Sequence, residues 1–324
     1  MELPEEIRIM AEKAASPYTM QQLKTVSKEI TRQYKKESGK GRNLICSPVD
    51  AAVYSVVRMP ATFGAVYSAL YHTLECMELN EQCSLLDAGA GTGAGTFAAS
   101  MLLELSEVTC LEREKSMREL GRSFTDGCRN VLPEITWMDS DIRSGLSNRA
   151  DIVLSSYVLN EMTETDRITA VRELWAHTNR LLLIIEPGTP QAFSQLLRIR
   201  RELCRRGAHI AAPCVHEKEC FLDEEDWCHF TVRVQRSKMH RAIKEADVPY
   251  EDEKYSFMAF VREKTQPSGV RILRHPVIGK GNIRLKVCTD EGLESVTLTK
   301  RDKEAYKTAR KASAGDLLRI TEKS

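Results

Sequence analysis

Two stretches of this chain carry residue types and spacings that can do chemistry. In "LLDAGAGTGAGTFAA", Asp87 stands two residues ahead of Gly89, with Gly91, Gly93 and Gly95 following at every second position. An apolar run enters this loop and an alanine-rich run leaves it, the pattern of a strand turning through bare backbone into a helix. Without a Cβ, such a loop lets a ligand lie against its amides. Gly89, Ala90, Gly91, Thr92, Gly93 and Ala94 satisfy the relaxed fingerprint G-x-G-x-x-G/A, and Glu112 stands 23 residues past Gly89, where a ribose-binding acid is expected. Taken alone, the loop does not separate NAD from S-adenosylmethionine.

The second stretch, "PCVHEKECFLDEEDWCHF", spaces Cys214, Cys220 and Cys228 as C-x5-C-x7-C in a highly charged segment. Thiolates suit zinc or an iron–sulfur cluster, and four ligands are the usual complement. Paired C-x2-C knuckles are absent. His216, His229 and Cys204 are near enough in sequence to complete a zinc site, so spacing alone leaves the metal open.

Three neighbours of the glycine loop favour S-adenosylmethionine. Asp87 completes a D-x-G-x-G-x-G string that resembles the first motif of class I methyltransferases. "LEREKSM" is similar to their second motif, which implies that Glu112 accepts the ribose hydroxyls. "MDSDI" supplies Asp141, where such enzymes contact the adenine. That resemblance implies cofactor-binding roles for Asp87, Gly89, Gly91, Gly93, Glu112 and Asp141. The fourth candidate strand ends "SSYVLNEM", without the N-P-P-Y or D-P-P-Y tetrad that holds a target amino nitrogen. Asn160 and Glu161 are polar pocket candidates there, and no catalytic base is assigned.

The elements needed to hold these residues are legible in outline. Residues 1 to 80 read as an N-terminal helical segment, broken near Pro60, with a polar linker over Lys35 to Asn43. From Glu81, short apolar runs alternate with helices: "CSLLDAG", "EVTCLER", "ITWMDSD", "DIVLSSYVL" and "LLLIIEPG" are candidate strands, and Thr163 with Asp166 forms a capping-box signal. This alternation predicts an α/β fold with a parallel, Rossmann-like sheet covered on both faces. The core is expected to run over residues 81–263, with "YSFMAFVRE" as its late antiparallel strand and the cysteine-rich loop at 204–230. Residues 264–324 read as a small β-rich extension closing on a basic helix.

Composition narrows the partners. Lys and Arg number 47 against 46 Asp and Glu, yet from Arg262 onward 15 basic residues face 8 acidic ones, a surplus of seven. That favours an anionic partner such as RNA. The arginines between Arg198 and Arg206 are a second candidate RNA contact. No apolar run approaches the roughly 20 residues of a membrane span. The acidic N-terminal "MELPEEIRIMAEKAA" resembles neither a signal nor a transit peptide, so the expectation is a cytoplasmic protein whose ten cysteines stay reduced.

A broader resemblance covers nearly the whole chain. "RMPATFGAVYSAL", "EPGTP", "APCVHEKECFLDEEDWCHF", "RILRHP", "LKVCTDEG" and "YKTARKASAGD" together resemble the ribosomal small-subunit methyltransferase-like family. The resemblance implies a 4Fe-4S cluster on Cys214, Cys220, Cys228 and, from the tail, Cys288. It implies binding to the small ribosomal subunit and its rRNA during assembly, with or without methyl transfer. The expected partners exclude DNA and membrane, and the protein is expected to be a monomer off the ribosome, in a bacterial or archaeal form.

Overall fold

The computed structural model describes residues 1–37, 45–79, 82–128, 132–144, 146, 148–265 and 269–319. Most of the expected linker, and the boundary at residues 80 and 81, lie outside the described residues.

Four helices come first: α1 (Glu5–Ala15), α2 (Met20–Glu37), α3 (Pro48–Val57) and α4 (Met59–Leu74). Ser47 and Asp50 form a reciprocal capping box at the start of α3, at 3.3 and 3.0 Å. The break falls at Arg58. Pro60 sits in the first turn of α4, where its missing N–H has no intrahelical partner to lose.

The core follows as β1 (Cys83–Ala88), α5 (Ala94–Ser100), β2 (Leu105–Leu111), α6 (Lys115–Gly127), β3 (Ile135–Met138), β4 (Ala150–Ser156), α7 (Glu164–Ala176), β5 (Thr178–Pro187), α8 (Pro190–Cys204), β6 (His209–Ala212), β7 (Phe230–Gln235), α9 (Lys238–Lys244) and β8 (Tyr250–Val261). Among the described residues these strands form one sheet in the order β3-β2-β1-β4-β5-β8-β6. Strands β1 to β5 pair in parallel, and β8 runs antiparallel between β5 and β6. A parallel sheet with one reversed strand inserted next to its end is the class I methyltransferase arrangement.

Strands with continuous apolar runs, such as "LLLII" in β5, are buried on both faces. One face packs on the N-terminal helices with α5 and α6. The other packs on α7 and α8. Among the described residues no helix is long and apolar enough to cross a membrane.

Two expectations need correction here. The cysteine segment is not one loop from 204 to 230, because β6 lies within it and β7 starts at its last residue. Both pair with the same edge of β8, β7 with residues 250–255 and β6 with 259–261. The capping box at Thr163 is half formed: its side chain accepts from the Asp166 amide at 3.3 Å, while the Asp166 carboxylate turns to Arg143 at 3.2 Å.

The tail is a small sheet of β9 (Val270–Ile272), β10 (Val277–Ile278), β11 (Asn282–Cys288), β12 (Leu293–Thr299) and β13 (Leu317–Leu318), with α10 (Lys303–Ala309) against it. Strand β11 alternates, burying Ile283, Leu285 and Val287 against Ile272, Leu298 and Tyr306 while Arg284 and Lys286 face out.

Candidate functional site

Between β1 and α5, Gly89, Gly91 and Gly93 adopt φ values of 77°, 58° and 90°, the left-handed region. At Gly89 a Cβ would also run into the Val158 side chain. The amides of Gly89 and Ala90 both donate to the Leu111 carbonyl at 2.9 Å, which draws the loop toward the end of β2.

Asp87 lies beneath this loop. It is fully buried, and its Oδ2 accepts from the Thr96 amide and hydroxyl, both at 2.9 Å. Burial pushes its carboxyl up to about 6 against those two bonds. Neither Asp87 nor Gly93 lines the cavity above. Both shape the loop from behind.

The cavity measures about 520 Å3. Gly89, Gly91, Glu112 and Asp141 line it at the C-terminal ends of β1, β2 and β3, and Tyr54 and Arg58 close it from α3 and its cap. Glu112 Oε2 accepts from the Gly91 amide at 2.9 Å, and Oε1 from the Glu114 amide at 2.8 Å. Burial raises its carboxyl against these two bonds. Asp141 is held below the usual carboxylate range by Arg143, which grips it at 2.9 and 2.5 Å.

After β4 the cavity wall is polar. Asn160 and Glu161 both line it, as the sequence placed them. The Leu159 and Asn160 amides donate to Glu186 at 3.0 and 3.1 Å, and burial pushes Glu186 up to about 8 and Glu161 up to about 7. A further group escaped sequence reasoning. Tyr157 sits at φ 60°, and its hydroxyl donates to Glu253 of β8 at 2.9 Å. Arg58 donates to the same carboxylate at 3.3 and 3.4 Å. The three residues come from three distant segments, so only the departure from the N-P-P-Y pattern at Tyr157 could have flagged the place.

The four cysteines meet. Cys214 follows β6, Cys220 lies mid-loop, Cys228 precedes β7, and Cys288 ends β11. All four line one cavity of about 30 Å3, together with His216, Phe257, Met258 and Arg271. His216 Nδ1 is buried without a hydrogen-bond partner. Burial pushes the thiols of Cys214 and Cys288 up to about 11 and 12, and raises Cys228 well above its ordinary value. Cys204 and His229 do not line this space. Among the described residues, no group of three or more His, Cys, Asp or Glu is placed to hold a metal ion.

The loop is fastened to the tail by Asp226. It accepts from Lys286 at 2.7 Å and from Arg274, and together they hold it below the usual carboxylate range although burial pushes the other way. The arginines of α8, read as an RNA contact, are mostly engaged. Arg198 pairs with Glu164 at 2.5 Å, Arg201 with Glu219 at 3.2 Å and Arg206 with Glu202 at 2.7 Å, while Arg200 is buried. Lys300, Arg301, Lys303, Arg310 and Lys311 of the tail are exposed, and they make no ion pair among the described residues.

The sequence profile of the family described as mitochondrial small ribosomal subunit Rsm22 matches residues 48–319. The chain is 25% identical over 290 residues to the human ribosome assembly protein METTL17, mitochondrial, covering 83% of this chain and 62% of that one. It is 23% identical over 317 residues to the mitochondrial Rsm22-cox11 tandem protein 2 of Schizosaccharomyces pombe, covering 80% and 42%. The chain thus spans less than two thirds of either relative. Among solved structures, magnesium protoporphyrin IX methyltransferase from Synechocystis aligns with a TM-score of 0.42 and 15% identity over 63% of this chain and 83% of that one. A putative RNA methyltransferase from Pyrococcus horikoshii aligns at 0.41 and 14% over 73% and 96%. The fold assignment rests on the strand order. With the profile spanning residues 48–319, from the capping box of α3 to the end of the tail sheet, the chain belongs to the mitochondrial small ribosomal subunit Rsm22 family.

Proposed function

We propose that this protein binds S-adenosylmethionine in the 520 Å3 cavity and works on the small ribosomal subunit or its rRNA during assembly, as a methyltransferase-like factor. The observation that carries the cofactor reading is that Gly89, Gly91, Glu112 and Asp141 line one cavity at the ends of three adjacent parallel strands, where open α/β sheets bind their ligands. S-adenosylmethionine would bring an electrophilic methyl group on a sulfonium. In this reading Glu112 turns its remaining lone pairs to the ribose hydroxyls while its two backbone bonds fix it. Asp141, oriented by Arg143, faces the adenine. The Gly89 to Gly91 backbone leaves room for the methionine end.

A 4Fe-4S cluster on Cys214, Cys220, Cys228 and Cys288 belongs to the same proposal. Four soft donors around one small cavity support it. Zinc is the rival, with His216 or His229 replacing a thiolate. The space as it stands is about one water in size, so ligation would spread the thiols, which the irregular segment between β6 and β7 can accommodate. Metal binding at such thiols displaces their protons and adds to folding stability. Anaerobic purification tests it: iron with acid-labile sulfide supports the cluster, and colourless protein with stoichiometric zinc defeats it.

A second reading, an rRNA-binding assembly factor without turnover, is favoured by the missing tetrad after β4 and by the engagement of Tyr157 with Glu253. Labelled S-adenosylmethionine incubated with small-subunit rRNA separates the two. Transferred label supports the enzyme, and cofactor binding without transfer supports the factor.

A further inference from the structure

Two buried arginines, one lining the cysteine cavity and one beside its loop, bond mainly to backbone carbonyls. Arg200 of α8 is 3% exposed. One Nη donates to the His216 carbonyl at 3.5 Å and to that of Lys218, and its buried Nε has no hydrogen-bond partner. Among the described residues it forms no ion pair. Arg271 of β9 is 1% exposed and itself lines the cavity. It donates to the carbonyl of Pro213 at 2.9 Å, to that of Gly315 at 2.7 Å and to Cys76 Sγ at 3.0 Å. Its carboxylate neighbour, Glu75, lies 3.6 Å away with its side chain 27% exposed.

A guanidinium stays protonated in any protein interior, so burial cannot be relieved by loss of the proton. A buried charge needs a counter-charge, and carbonyl dipoles supply part of one. Four thiolates would supply the rest.

We infer that Arg200 and Arg271 are built-in counter-ions for an anionic, thiolate-ligated group in the cysteine cavity, and that they set how tightly it is held and how readily it takes up an electron. This rests on the reading of the four cysteines as ligands. Arg271 also bonds the cysteine loop, the end of the tail and the turn after α4, so the same side chain ties the ligated group to three parts of the fold. For a 4Fe-4S cluster, one electron from a reductant such as dithionite takes the core from 2+ to 1+ and adds one negative charge. Nearby guanidinium charge favours that reduced state.

The test uses the full chain, purified anaerobically and reconstituted with ferrous iron and sulfide, as wild type, Arg200→Gln, Arg200→Lys and Arg271→Gln. Iron release to a chelator and the midpoint of an electron-paramagnetic-resonance-monitored dithionite titration are read, with circular dichroism to verify folding. Arg200→Gln should release iron several-fold faster and shift the midpoint to more negative potential, and Arg200→Lys should stay close to wild type. A folded Arg200→Gln with wild-type release and midpoint overturns the inference, whatever Arg271→Gln does. If wild type holds zinc, chelator-driven zinc release replaces iron release: faster loss from Arg200→Gln supports the inference, and wild-type loss overturns it. Wild type that takes up neither metal overturns the ligand reading itself, and the inference with it, before any variant is compared.

Discussion

The Glu112 carboxylate accepts from the Gly91 amide at 2.9 Å, so one side chain both braces the glycine loop and faces the cavity. In Glu112→Ala the affinity for S-adenosylmethionine should fall by roughly 1.5–3 kcal/mol, through loss of a charged acceptor and of the brace. Glu112→Gln, which keeps one acceptor oxygen, should lose less. Titration calorimetry reads both, and an unchanged affinity in Glu112→Ala would remove the assignment.

Stability should fall as pH rises through the neutral range. Asp87, Glu161 and Glu186 titrate near 6, 7 and 8 when folded, against about 4 when unfolded. Between those limits the folded chain holds protons that the unfolded chain has released. Their contribution is therefore full below about pH 4, falls as pH climbs from there, and is gone once pH has passed the folded values of 6 to 8. Thermal melts between pH 5 and 8.5 should show a falling Tm, and Glu186→Gln should flatten the upper part of the curve. A Tm that rises with pH across this window would contradict the burial of these groups.

Cys288 is the tail's thiol in the cysteine cavity, and Cys288→Ser should lower metal content and make residues 269–319 more sensitive to protease. The sheet of the core should keep its S-adenosylmethionine affinity. Full metal content with a resistant tail would show that Cys288 is no ligand.

Exposed cations of the tail should contact rRNA. Substituting Lys303, Arg310 and Lys311 with alanine should weaken binding uniformly across sequences. The slope of log affinity against log salt should also shrink, by about 0.7–0.9 for each phosphate that is no longer neutralised. Arg198→Ala, whose guanidinium is already paired with Glu164, should change little. Salt-independent affinity in the wild type would sink the interface.

The legible parts of this protein were those in which local sequence decides the outcome. β1, β4 and β5 carry apolar runs at their centres, Leu85–Leu86, Ile152–Leu154 and Leu181–Ile185, because both their faces are buried, and the tail strand β11 announces itself by strict alternation. β6 has only four residues, too few to show a period, whereas β7 alternates over six, with Phe230 and Val234 buried and Arg233 and Gln235 exposed, a signal masked by the cysteine segment that runs into it. At the site, Glu112 and Asp141 were legible because strand ends point into the cavity. Asp87 carried the same motif signal, yet its carboxylate turns down onto Thr96. Composition along α8 counted arginines without the carboxylates of Glu164 and Glu219 that reach them from other elements. The Arg58–Glu253–Tyr157 group spans 195 residues of sequence separation and exists only once the N-terminal helices fold over the sheet.

The divided outer edge of β8 has a consequence for the protein as a solute. β7 stops pairing at Tyr255 and β6 begins at Ala259, which leaves Ser256, Phe257 and Met258 paired with β5 on one side and with no strand on the outer edge. The cysteine segment fills that gap: the Ser256 hydroxyl donates to the Cys228 carbonyl at 2.7 Å, and Phe257 and Met258 wall the thiol cavity. An open, apolar strand edge is a template on which other chains add and aggregate. The cysteine segment is therefore also a stopper, and substitutions that unseat it should send the chain out of solution as aggregates.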